Sequence, residues 1–336
     1  MVRRTIQCVV IGPTIITAMN FKPLTQITLC YFLAATSLVS AQTATPTAPL
    51  DNKTLPPEMM RGGASRAKDL SLPTQTSSFG TSHAPQMALY KPEGEGPFPA
   101  LVLLHQCGGL RNARGNWQNQ SMLFWAQKAV ERGYVVLQLD ALDQRGADSV
   151  CLGPKEGVNF FRGAKDAFQA AEHLSKLPYV DAKRIGLAGY SWGAMVALTV
   201  ASKGWAAALA TGPRFAASVS FYPGCMRIAP PMGPAYDIAQ LDIDRPQLTL
   251  MGELDNETPP SDCIPRLEAA KALGAPVEWH LYPSITHCWD CANLHNFNKV
   301  DVRGNRVTYL YDKAITSDSE KRMFEFLAKS MPAAPQ

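Results

Sequence analysis

Arg184-Ile185-Gly186-Leu187-Ala188-Gly189-Tyr190-Ser191-Trp192-Gly193 is the stretch on which the fold turns. A β-rich run over residues 184–188 passes directly into a G-x-S-x-G, and a helical pattern follows over residues 192–203. On its own the pentapeptide is a weak pattern; between a strand and a helix it is specific. Its glycines permit a sharp, strained turn that lifts the Ser191 hydroxyl above a sheet. The following helix then aims its first N–H groups at the same point.

Working outward, further β-rich runs fall at residues 87–91, 100–105, 134–139, 217–221, 247–251 and 277–282. Helical spacing lies between them at 121–132, 161–177 and 262–273, with a last helix at 317–329. Several runs are apolar throughout, as in Leu101-Val102-Leu103-Leu104, which is the pattern of strands covered on both faces. The alternation predicts an α/β fold with a mostly parallel open sheet and helices on both faces, whose ligand site lies past the carboxyl ends of the strands.

The residues just past those ends carry the chemistry. A serine hydroxyl needs a base within hydrogen-bond reach and a third group to orient that base. In this architecture the chain order is Ser, acid, His. Gly252-Glu253-Leu254-Asp255-Asn256-Glu257-Thr258 follows the run at 247–251, and Pro283-Ser284-Ile285-Thr286-His287 follows 277–282. His287 is the histidine in the required place, because His280 sits inside a run and His295 lies farther downstream. Asp255 is the expected acid, with Glu253 and Glu257 as its competitors. Oxyanion donors are expected from the N–H of Trp192 and from His105-Gln106-Cys107-Gly108-Gly109, where position favours the Cys107 N–H over that of Gln106. Arg145, Tyr222 and Trp289 lie past strand ends or beside these residues and are candidate substrate contacts, Arg145 either as a bidentate partner for a carboxylate or as the holder of its own loop through Asp140 or Asp143.

Taken together, the His105–Gly109 and Gly189–Gly193 motifs, Gly252-Glu253-Leu254-Asp255 with Thr258-Pro259, and Tyr282-Pro283 before His287 resemble the dienelactone hydrolase family. The resemblance runs from about residue 86 to 330 and includes Lys91-Pro92-Glu93-Gly94 and Gly133-Tyr134-Val135-Val136. It implies the α/β-hydrolase fold, a nucleophile–Asp–His triad and hydrolysis of esters or lactones without a cofactor or metal. Two positions depart from the family's pattern. Ser191 stands where the members that name the family carry Cys, and Gln106 stands where many carry Gly or a carboxylate. Both point away from a dienelactone as the substrate and leave the hydrolase chemistry in place. The same site could serve an amidase, a peptidase or an acyltransferase, or a non-catalytic binding protein on the same scaffold.

The N-terminal stretch carries an expectation about the compartment. Residues 1–41 contain Arg3, Arg4 and Lys22 and no acid. From Met19 they read as an export signal, with Lys22, an apolar stretch at 27–38 and Val39-Ser40-Ala41 before the expected cleavage; translation could start at Met19. Residues 42–80, rich in Thr, Pro, Ala and Ser, are expected to be a flexible lead-in, and 81–336 a single domain. The chain of 336 residues is 46% hydrophobic with 32 basic and 28 acidic residues, which excludes wholesale disorder and a nucleic-acid footprint. No membrane span is expected after the signal, and a small-molecule ester or lactone is the expected partner.

Of eight cysteines, Cys8 and Cys30 are expected to leave with the signal. The other six suit disulfides in a secreted or periplasmic protein. Cys225 with Cys263 is the first expected pair, Cys107 with Cys151 the second, and Cys288 with Cys291 the third. A metal cluster of Cys288, Cys291 and His295 would lack the second pair such sites draw on. A redox C-x-x-C of the thioredoxin-like kind would open a helix after a strand, which this one does not.

Overall fold

The computed structural model describes residues 55–80, 86–111 and 118–333. The expected export signal and the first part of the expected lead-in therefore lie outside the described residues. Helix α1 (Pro57–Ala64) leads, followed by β1 (Ala88–Tyr90), β2 (Phe98–Leu104), α2 (Gln120–Glu131) and β3 (Val135–Leu139). Next come α3 (Phe160–Ser175), β4 (Val180–Tyr190), α4 (Trp192–Ala201), α5 (Lys203–Leu209) and β5 (Ala217–Phe221). A short hairpin of β6 (Arg227–Ile228) and β7 (Tyr236–Asp237) precedes β8 (Gln247–Gly252), α6 (Pro260–Ala272) and β9 (Val277–Tyr282). A second hairpin, β10 (Asn298–Val300) and β11 (Arg306–Thr308), leads to α7 (Lys313–Ser330).

Seven strands form one sheet in the order β1-β3-β2-β4-β5-β8-β9, antiparallel only between β1 and β3. From β2 the chain winds to one side to make β3, then crosses back to the other side for β4. That reversal opens a crevice beyond the carboxyl ends of β2 and β4. Residue alternation on β2 divides the core. Ala100, Val102 and Leu104 pack with α1, α3, α4 and α5, while Leu101 and Leu103 pack on the other face with α2 and α7. All ten residues of α4 are buried, so this helix is apolar on every side and lies inside the molecule. Among the described residues no helix is long and apolar enough to cross a membrane.

Three differences from the sequence expectations have physical causes. The helix expected at 192–203 stops at Ala201, because Ser202 turns extended and its hydroxyl caps α5 by accepting the Trp205 N–H at 3.2 Å. The last helix starts earlier than expected, at Lys313, where the Asp312 carboxylate accepts the Ile315 N–H at 2.9 Å. The lead-in expected to be flexible to residue 80 carries α1, whose Met60 and Ala64 are buried in the core. Beyond this buried face, partners on the domain hold α1 in place. The buried Arg162 guanidinium donates to Ala64 O at 3.1 Å, Asn159 Nδ2 donates to Gly63 O at 3.1 Å, and Arg61 Nε donates to Ala208 O at 3.1 Å.

Candidate active site

Four adjacent parallel strands, β4, β5, β8 and β9, deliver their following residues to one edge of the sheet. Ser191 follows β4 with φ 52° and ψ −110°, a conformation that side chains avoid and that is tolerated at functional turns. The flanking glycines are steric necessities. A Cβ on Gly189 would lie 2.0 Å from Gly193 O, and one on Gly193 would lie 2.2 Å from Leu104 O. The turn therefore closes against the end of β2, and Gly193 N–H donates to His105 O at 3.1 Å.

The loops after β8 and β9 are tied to each other. Glu253 N–H donates to Tyr282 O and Leu254 N–H to Ile285 O, each at 2.9 Å. This brings Asp255 and His287 together and both to Ser191. His287 Nε2 lies 2.9 Å from Ser191 Oγ, and its Nδ1 lies 2.7 Å from Asp255 Oδ2. Asp255 Oδ1 accepts the N–H groups of Glu257 at 3.0 Å and Thr258 at 2.9 Å, which leaves Oδ2 aimed at the ring. The Thr258 hydroxyl lies 2.8 Å from that same oxygen. Of the competing acids, Glu253 accepts the Ser284 N–H at 2.9 Å, away from the ring. Glu257 takes a different place, with Oε2 3.9 Å from His287 Nε2 and its carboxylate held by Lys299 Nζ at 2.6 Å and the Tyr309 hydroxyl at 2.9 Å. Burial is the strongest influence on His287 and disfavours its cation; Asp255 and Glu257 together outweigh it, so the imidazole titrates above the ordinary histidine range.

Cys107 and Trp192 both border the cavity in front of Ser191. Among the described residues the N–H groups of Gln106, Cys107 and Trp192 have no acceptor. His105 shapes the loop beneath them. Its Nε2 accepts the Ala141 N–H at 3.0 Å while Nδ1 lies 2.6 Å from Gln106 O, a pattern that needs the neutral ring, and burial lowers its pKa accordingly.

The expected substrate contacts fare differently. Arg145 does not border the cavity. Its guanidinium meets Asp166 through two hydrogen bonds at 2.7 and 2.8 Å and donates to Lys68 O and Ala141 O, so none of it is left for a ligand carboxylate. Tyr222 and Trp289 are fully buried behind the site rather than in its wall. The Tyr222 ring stands edge-on to His287, with centroids 4.6 Å apart, and Trp289 packs edge-on to Tyr222 at 4.8 Å.

Behind them lies a polar network that sequence reasoning missed. Asp290, fully buried, accepts the Tyr222 hydroxyl and Trp125 Nε1, each at 2.7 Å. Gln106 Nε2 in turn donates to the Tyr222 hydroxyl at 3.2 Å, and Gln106 Oε1 accepts from Asn119. Burial raises the Asp290 pKa while those donors oppose the rise. The available signal was an acid beside His287 in an otherwise apolar-and-cysteine stretch, Cys288-Trp289-Asp290-Cys291.

The six cysteines form three disulfides, Cys107–Cys151, Cys225–Cys263 and Cys288–Cys291. Each holds a segment at the site: the loop carrying Cys107, the loop after β5, and the turn directly after His287. With Cys288 and Cys291 bonded to each other, neither sulfur is a thiolate ligand, and His295 Nδ1 instead accepts the Tyr311 N–H at 3.1 Å.

Comparisons with known proteins fit this arrangement. A family model described as the dienelactone hydrolase family matches residues 86–331. No curated protein sequence matches the chain. Among solved structures, a protein assigned as a dienelactone hydrolase from Klebsiella pneumoniae subsp. pneumoniae superposes with a TM-score of 0.53 at 17% identity, over 72% of this chain and 93% of that one. The α/β hydrolase enzyme MGS-M1 from a Medee basin deep-sea metagenome library gives 0.50 at 20% identity, over 70% and 86%. Propionate-bound esterase 2 of the planctomycete Thermogutta terrifontis gives 0.51 at 14% identity, over 74% and 91%. At such identities the structural likeness speaks for the fold, an α/β hydrolase. The family model spans most of the chain and carries more: this chain belongs to the dienelactone hydrolase family, and with it to the hydrolases of carboxylic esters.

Proposed function

We propose that the chain is an exported serine hydrolase that cleaves a carboxylic ester or lactone through an acyl-enzyme. One observation carries the reading: Ser191 Oγ, His287 and Asp255 stand in series at 2.9 and 2.7 Å, with the serine facing a cavity. In the first half-reaction neutral His287 accepts the Ser191 proton at Nε2 as Oγ attacks the carbonyl carbon. Asp255 accepts the Nδ1–H, which fixes the tautomer and stabilises the imidazolium as it forms. The N–H groups of Cys107 and Trp192 receive the oxyanion. His287 then gives its proton to the leaving alcohol. Water, activated by the same nitrogen, releases the acid in the second half-reaction. Export is supported by the three disulfides, which persist in oxidising compartments.

A fluorophosphonate probe tests the nucleophile. The folded protein is expected to be labelled stoichiometrically on Ser191, and Ser191→Ala to remain unlabelled. An intact, folded wild type that takes no label would sink the proposal.

The base sets the pH dependence. Only neutral His287 can accept the serine proton, so activity is lost as pH falls through its pKa, and Asp255 and Glu257 place that limb above the ordinary histidine range. The nearest charged groups around the ring are Asp255 and Glu257, with Lys299 opposing them; the buried Asp290 also interacts with the ring from behind, and the uncharged Tyr222 and Tyr309 rings close it in. Glu257→Gln removes one of the raising charges. Its acid limb in kcat/KM against pH is expected to move to lower pH; a limb that stays or rises would contradict the assignment.

A further inference from the structure

Ser191 opens into a cavity of about 1220 Å³. Pockets that enclose drug-sized ligands run to about 300–1,000 Å³, so this chamber is large for a small ester. Its chemistry is uneven. Near the reacting atoms lie Gln106, Glu257 and Thr258, and a rim of charge comes from Lys299, Asp301 and Arg303 on the second hairpin. The remaining wall is mainly apolar: Phe160 and Phe161 open α3, Trp192 and Met195 lie on the first turns of α4, and Ile228 and Tyr236 belong to the first hairpin.

One part of that wall comes from outside the family-matched region, which begins at residue 86. Leu55, Met59, Gly63 and Arg66 line the cavity from α1 and its flanks. This is a fixed wall, since Met60 and Ala64 are buried and α1 is pinned by Asn159, Arg162 and Arg61. Gly63 brings α1 hard against α3, where a Cβ would sit 2.5 Å from the Phe161 ring. Met59 points the other way energetically. It is a flexible thioether left 40% exposed beside the reaction centre's cavity, where an apolar ligand could cover it.

We propose that this chamber selects esters bearing a large apolar group, and that residues 55–66 form part of the surface that recognises it. The inference rests on the serine-hydrolase reading above. A small polar ester would touch the polar residues around Ser191 and leave the apolar wall wet. A long alkyl or bulky aromatic group would dry that wall, with each fully buried methylene worth up to about fourfold in binding.

The test is kcat/KM along two series, p-nitrophenyl acetate to octanoate and ethyl to octyl acetate. A rise of at least about tenfold in one of them is expected, well below full burial of six methylenes. Met59→Gln, which puts an amide into the apolar wall, is expected to cut that long-to-short ratio several-fold, and Met59→Leu to preserve it. Two flat or falling series, or a ratio that Met59→Gln leaves unchanged, overturn the inference when fluorophosphonate still labels Ser191. Absence of labelling overturns the hydrolase reading itself, and this inference with it.

Discussion

Asp255→Asn is expected to lower kcat by about 10⁴-fold without unfolding the protein. The side chain keeps its shape, and an amide oxygen at the Oδ1 position still accepts the Glu257 and Thr258 N–H groups that now lie 3.0 and 2.9 Å away. The amide nitrogen then occupies the Oδ2 position, 2.7 Å from His287 Nδ1. A donor there forces the ring proton onto Nε2, which faces Ser191 Oγ and must be bare to act as base. The loss should fall on kcat, because Asp255 does not border the cavity and KM depends on groups that do. Added to Ser191→Ala, the change should cost almost nothing further, since residues that act as one unit are not additive. Steady-state kinetics of the purified variants decides it. A loss below about tenfold, or a comparable loss from Glu253→Gln, would remove Asp255 from the proposed role.

What could be read from the sequence was whatever is local. Strands β5 and β9 begin and end at the expected residues, 217–221 and 277–282, because uninterrupted apolar or alternating runs bounded by turn residues leave little choice of register. Ser191, Asp255 and His287 were legible for the same reason: in a parallel sheet, the residue just past each strand must lie at one edge, so chain position predicts proximity. The unreadable parts are those decided by long-range packing. Arg145 follows a strand as a binding residue would, yet Asp166, on a helix 21 residues downstream, captures it. Tyr222 has φ 44° and turns its ring inward against His287, which no local pattern announces. Glu257 was legible as an acid near the site but not as the partner of Lys299 and Tyr309, which arrive on a hairpin more than forty residues on. Helix α1 was hidden in a Pro- and Ala-rich segment because its stability resides in the groups that receive it.

Those groups define the second large effect: Asp166→Ala is expected to cost about 3–5 kcal/mol of folding stability. Asp166 Oδ1 accepts Arg162 Nε at 2.9 Å, Arg162 Nη2 at 2.5 Å and Arg145 Nη2 at 2.8 Å, and Oδ2 accepts Arg145 Nη1 at 2.7 Å. The Asp166 and Arg162 side chains are fully buried and that of Arg145 is 2% exposed, so one carboxylate bridges two cations out of reach of water and balances only one of their two charges. Asp69 also meets Arg162 at 2.8 Å, but its side chain is 56% exposed, and water screens much of its charge. Removing Asp166 leaves two guanidinium groups facing each other across the space the carboxylate filled. Arg145 and Arg162 also hold Lys68 O, Ala64 O and Ala67 O, so they are the clamps on residues 64–68 as well as members of the core. A domain of this kind has about 5–15 kcal/mol in all, and the variant should therefore unfold at markedly lower urea with its disulfides intact. The segment before residue 80 should also become the first site of proteolysis, ahead of global unfolding. A change below about 1 kcal/mol would mean that water or backbone carbonyls satisfy the two arginines unaided, and that the carboxylate is dispensable to the clamp.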